Sequence, residues 1–135
     1  MENRLIEKMI EIQAPLSEVW RVFTDPRVSK QMGGYYETDW KVGSPFGWKG
    51  QNGQLYTRGR ILEFKPERLF KHNLFDLNDS SLLSVITYEF QENAGTTIIS
   101  AQEEIRQEMT DDQFKEANEG WDLALQSVKK VAEKI

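Results

Sequence analysis

The alternation of polar and apolar positions along the chain changes period three times. From Leu5 to Gln13, apolar and charged residues alternate near a period of two, which predicts a first strand with apolar side chains on both faces. Pro15 suits the first turn of a helix, and Val19, Trp20, Val22 and Phe23 supply its apolar face. Asp25 is placed to cap a second short helix that Pro26 begins and that runs to about Met32, where Gly33-Gly34 ends it. Glycines at 43, 47, 50 and 53 then interrupt an aromatic stretch between Tyr35 and Gly53, a pattern of short strands joined by turns.

The period of two returns in the middle of the chain. Leu55 to Phe64 reads as a strand, Lys65-Pro66-Glu67 as a turn, and Arg68 to Phe75 as the returning strand. Asp76 to Ser81 is a polar turn. Leu82 to Gln91 has the strongest strand composition of the chain, and Asn93-Ala94-Gly95 closes a hairpin into Thr96 to Glu104. Thr110 with Gln113 forms a capping-box pattern, and Asp111 and Asp112 complement the positive helix end. Phe114, Ala117, Trp121, Ala124, Val128, Val131 and Ile135 follow at spacings of three and four, on one face of a six-turn helix that Leu125 and Ala132 widen. The sum is one strand, two short helices, about six antiparallel strands and a long closing helix. The ends thus bracket a sheet, and a helix laid across it makes a half-open, aromatic-lined cleft.

Composition narrows the partners. At 135 residues the chain reads as a single domain, residues 1–135, and a chain of this size buries about 70% of its unfolded surface. The absence of cysteine removes disulfides and thiolate chemistry. A net charge of -5 and a pI near 5.0 argue against nucleic acid and anionic membrane surfaces. No apolar run approaches the roughly 20 residues of a membrane span, and the first residues lack the core of a secretion signal, so a cytoplasmic location without membrane insertion is expected.

The order of these elements carries a family likeness. Together with IQAPLSEVWRVFTDP, VGSPFGW (Val42 to Trp48), GRILEFKPERLF (Gly59 to Phe70), VITYEF (Val85 to Phe90) and EGWDLALQSVKK, it resembles the START-like SRPBCC superfamily. Within that superfamily the chain is similar to the stand-alone form of the activator of heat-shock protein 90 ATPase homologue domain. The likeness runs from about Leu5 to Ile135. It implies an α+β helix-grip fold: a curved antiparallel sheet around a long C-terminal helix, with a hydrophobic cavity between them. Where the family's second short helix leads into a tryptophan, this chain has Met32-Gly33 at what the likeness makes the cavity border.

Few residues point to catalysis. The single histidine, His72, shares a strand face with Phe70 and Leu74 and reads as a packed or rim histidine, which leaves no histidine-based metal site. Asp76-Leu77-Asn78-Asp79 begins like a calcium loop, but Ser81 and Thr87 stand where that loop needs glycine and glutamate, so it reads as a turn. Glu103 and Glu104 are adjacent on a strand and point to opposite faces, unlike a catalytic pair. Arg58 and Arg60 share a face with Tyr56 and Leu62. Either they form solvated ion pairs, or a buried guanidinium meets an anion of the protein or of a ligand.

The aromatic residues are more numerous than a small core needs, and the surplus is expected to line the cleft. The expected ligand-binding set is Tyr36, Trp40, Phe46, Trp48, Tyr56, Arg58, Phe75, Tyr88, Phe114, Trp121 and Leu125, with no catalytic residue, cofactor or metal. The leading expectation is a non-enzymatic carrier or sensor, monomeric or homodimeric, that holds a small hydrophobic ligand. The alternatives are a module that regulates a chaperone ATPase, as the resemblance implies, and a cyclase-like enzyme in which Arg58 or Tyr56 orients a carbonyl.

Overall fold

A computed structural model describes residues 4–134. The elements run β1 (Arg4–Ile12), α1 (Leu16–Thr24), α2 (Pro26–Ser29), a 3₁₀ turn (Lys30–Met32), β2 (Gly34–Thr38), β3 (Pro45–Gly50), β4 (Gly59–Lys65), β5 (Leu69–Phe75), β6 (Leu82–Asn93), β7 (Thr96–Ile105) and α3 (Asp111–Ala132). The strands form one antiparallel sheet in the order β1-β7-β6-β5-β4-β3-β2. This is the expected helix-grip arrangement, with α3 across the concave face and α1 and α2 between β1 and β2. No described helix is long and apolar enough to cross a membrane.

Local chemistry accounts for the boundaries. The side chain of Asp25 accepts from the Arg27 N–H at 3.0 Å and caps α2, with Pro26 in its first turn. The 3₁₀ turn that follows ends at Gly33, whose φ of 98° favours a residue without Cβ. Both halves of the capping box start α3: Gln113 N–H to Thr110 Oγ1 at 3.1 Å, and Thr110 N–H to Gln113 Oε1 at 2.9 Å. Ala94 and Gly95 both have positive φ (53° and 82°), the backbone of a tight two-residue hairpin between Asn93 and Thr96.

The sheet curves where its ladders are irregular. Register shifts occur between Ile61 and Glu63 on β4 and between Leu74 and Phe75 on β5, and such irregularities bend a strand and raise its twist. The strand expected over Leu55 to Phe64 is regular only from Gly59, and residues 55–58 keep the isolated bridges Lys49–Leu55 and Arg58–Phe75. The cause is a side chain in place of a ladder carbonyl: Thr57 Oγ1 accepts from the Trp48 N–H at 3.0 Å. β3 meets β4 through two residue pairs.

On β1, Ile6 and Ile12 face the core while Leu5 and Met9 face solvent, which settles that strand's orientation. The buried stripe of α3 is Trp121, Leu125, Val128, Val131 and Ala132. It is rotated from the expected stripe: Ala124 is exposed, Phe114 and Ala117 are half-buried, and Ile135 lies outside the described residues.

Candidate functional site

A cavity of about 320 Å³ lies between the concave face and the second half of α3, at the lower end of the range of small-molecule pockets. Its floor comes from inward positions of the strands: Tyr36 on β2, Phe46 and Trp48 on β3, His72 and Leu74 on β5, Ile86 and Tyr88 on β6. The period of two puts His72 and Leu74, and Ile86 and Tyr88, on the same face of their strands. The roof is Trp121, Ala124, Leu125, Ser127 and Val128 of α3, and Phe23 and Met32 close one end. Exposed Ala124 marks the mouth.

The wall is organised by ring stacking. Phe46 lies between Tyr36 (centroids 4.8 Å apart, 29° between planes) and the imidazole of His72 (4.1 Å, 28°). Trp48 meets Tyr36 edge-on at 4.9 Å, and Tyr88 lies 5.6 Å from Trp121. Trp121 is pinned through its indole N–H, which donates to Glu103 Oε1 at 2.7 Å. Glu103 faces the helix, while Glu104 pairs with Arg106 at 3.1 Å.

No lysine, arginine, aspartate or glutamate lines the cavity among the described residues. His72 is 3% exposed, and its Nδ1 lies 3.0 Å from the Asn73 carbonyl. A carbonyl only accepts, so Nδ1 carries the proton. Burial holds the imidazole neutral by pushing its pKa down to about 4. Burial likewise pushes the Tyr36 phenol up to about 12 and raises Tyr88 well above its ordinary value. A base with a pKa near 4 is poorly matched to proton transfer at neutral pH, so the arrangement suits binding through shape and neutral hydrogen bonds.

Six of the expected site residues meet at this wall: Tyr36, Phe46, Trp48, Tyr88, Trp121 and Leu125. Five lie elsewhere. Trp40 is packed behind the wall, 5.4 Å from Phe70 and 5.8 Å from Phe64. Phe114 sits in the first turns of α3 beneath the Arg4 guanidinium, 5.0 Å from its centroid. Tyr56 and Phe75 line a separate outer groove of about 290 Å³ with Leu77 and Leu83.

The fifth, Arg58, donates to the Asp76 carbonyl at 3.1 Å and to Ser80 Oγ at 2.6 Å, fastening the 76–81 turn. Arg60 donates to the Gly43 carbonyl at 2.9 Å. The face shared by Tyr56, Arg58, Arg60 and Leu62 is therefore the outer one, and Thr57, Gly59 and Ile61 occupy the inner side. Among the described residues neither arginine meets an anion: carbonyl and hydroxyl oxygens accept the bonds that they make.

Phe23, Met32, Thr57, Leu74, Ile86, Ala124, Ser127 and Val128 were not among the expected site residues and belong to the wall, as does His72. Strand alternation contains the signal for several of them, since Leu74 and Ile86 follow from the placement of His72 and Tyr88. Thr57 and Leu74 also line the outer groove, so they separate it from the cavity.

The model of the family described as "Activator of Hsp90 ATPase homolog 1-like protein" matches residues 13–133. No curated protein matches the chain in sequence. A solution structure of a protein from Cytophaga hutchinsonii is similar at 24% identity, with 99% of this chain and 97% of that one covered and a TM-score of 0.78. The Aha1 dimer from Colwellia psychrerythraea is similar at 19% identity, 96% coverage of both chains and a TM-score of 0.76. DynU16, a protein of the dynemicin biosynthetic locus, has 16% identity and a TM-score of 0.81, with 96% of this chain and 47% of that one covered. At these identities the likeness is one of fold.

Proposed function

The chain belongs to the Activator of Hsp90 ATPase homolog 1-like family, and from that premise we propose that it is a cytoplasmic carrier or sensor that binds a small hydrophobic or aromatic molecule between the sheet and α3. The observation that carries this reading is the unfilled, ring-lined cavity of about 320 Å³. The wall of such a half-open cavity leaves packing contacts unmade, and an apolar guest restores them. An engineered apolar cavity of about 150 Å³ holds one benzene, so this one holds about two rings.

Native mass spectrometry of the freshly purified protein, followed by solvent extraction, tests the reading. The expected result is a one-to-one adduct of a neutral molecule, lost in Leu125→Trp, where the indole fills the space. A protein that is free of adduct and also leaves added naphthalene unbound is not a carrier of this kind.

A second reading, regulation of a heat-shock protein 90-type chaperone ATPase, is supported by the family's description. It predicts a complex and a changed ATPase rate on mixing. The cyclase-like reading loses the two groups it relied on, because Arg58 and Tyr56 lie outside the cavity.

A further inference from the structure

We propose that the cavity selects a neutral hydroxyarene of about two fused rings, anchored by a hydrogen bond from its hydroxyl to Nε2 of His72. This rests on the ligand-binding reading above and names the chemical class that the site takes.

The anchor follows from the tautomer. Nδ1 of His72 is turned to the Asn73 carbonyl at 3.0 Å and must hold the proton, so the distal Nε2 presents a bare lone pair. Nε2 has no hydrogen-bond partner among the described residues, and the ring it belongs to lines the cavity. Stacking on Phe46 at 4.1 Å fixes the imidazole plane. With the ring held neutral by burial, Nε2 remains an acceptor across the physiological range. The neighbouring Thr57 Oγ1 is already engaged, because it takes the Trp48 N–H at 3.0 Å.

An O–H group delivered to Nε2 satisfies this unmatched acceptor, whereas a plain hydrocarbon strands it away from water. Charge completes the selection. With no cationic or anionic side chain on the wall, a carboxylate or an ammonium entering the cavity loses its hydration and meets no counter-charge. Flat walls and a volume of about 320 Å³ set the size near a naphthalene skeleton.

Equilibrium dialysis at neutral pH with 2-naphthol, naphthalene and 2-naphthoate tests this, on the unmodified protein and on His72→Phe, whose ring keeps the stack on Phe46. The expected order is 2-naphthol, bound about tenfold more tightly than naphthalene, with 2-naphthoate weakest. His72→Phe should lose the preference for 2-naphthol over naphthalene. Equal binding of naphthol and naphthalene by the unmodified protein overturns the proposal and leaves the carrier reading standing. A preference that survives in His72→Phe also overturns it. Binding of neither arene overturns both. The nitrogen resonance of His72 Nε2 gives a readout that needs no variant: it should move with 2-naphthol and stay in place with naphthalene, and an unmoved resonance under saturating naphthol contradicts the anchor.

Discussion

Under α1 the concave face of the sheet is filled, and under the second half of α3 the same face is open. Both regions are floored by inward aromatic residues of β5 and β6. In the filled region Trp20 descends from α1 to within 5.1 Å of Phe90, 5.7 Å of Phe64 and 6.0 Å of Phe70, and Phe23 lies 5.6 Å from Phe70. In the open region the roof beyond Trp121 is Ala124, Leu125, Ser127 and Val128, side chains too short to reach His72 and Leu74 across the gap. The cavity is thus set by the size of a few helix residues, while rings floor both regions.

The largest test of that contrast is truncation on each side. Phe70 is 0% exposed and meets rings from both regions, so Phe70→Ala should cost about 3–5 kcal/mol in urea denaturation. Leu125→Ala removes a wall that already faces space and should cost about 2 kcal/mol, at the low end of its class. Equal losses from the two variants would erase the distinction between filled and open halves.

Acid titration comes next in size. The pKa of His72 is about 4 in the fold against 6.5 in the free side chain, so between these values the unfolded chain binds the extra proton. Stability is complete above pH 6.5 and falls as pH drops toward about 4, by roughly 3 kcal/mol in total. Urea midpoints measured across this window should fall in the unmodified protein and stay flat in His72→Phe. The lowered carboxyls of Asp25, Asp79 and Glu133 titrate below their ordinary values of 3.8, 3.8 and 4.5, outside most of that range.

Much of the scaffold was legible because its signals are local. The Thr110–Gln113 box, the Asp25 cap and the Ala94-Gly95 turn each depend on a few adjacent residues, and each is present. The floor at His72, Leu74, Ile86 and Tyr88 follows from alternation alone. Tyr56 and Arg58, expected at the ligand, lie outside the cavity because residues 55–58 leave the regular ladder, where the Thr57 hydroxyl takes the Trp48 N–H and Thr57 holds the inner side. Trp40 and Trp48 sit in the same glycine-rich stretch, yet Trp40 has a φ of 56° and turns into the packed core, while Trp48 lines the cavity. Phe114 is occupied by Arg4, a contact across 110 positions of sequence that no period reveals.

Smaller effects sharpen the open half. Glu103→Leu removes the acceptor that holds the Trp121 indole at 2.7 Å, and should cost about 1–2 kcal/mol and shift the tryptophan emission. Ala124→Trp changes an exposed position at the mouth, so stability should move by no more than about 0.5 kcal/mol while uptake of an apolar guest is blocked. An Ala124→Trp protein that binds naphthalene unchanged would place the mouth elsewhere.

The most direct measurement of the cavity's role is an NMR titration of the side-chain methyl groups with naphthalene. Saturable shifts are predicted at Leu74, Ile86, Leu125 and Val128 around the open half, with Val19 and Val22 on the buried face of α1 unmoved. No saturable shifts, or shifts confined to exposed Leu62, Met9 and Leu123, would contradict the account.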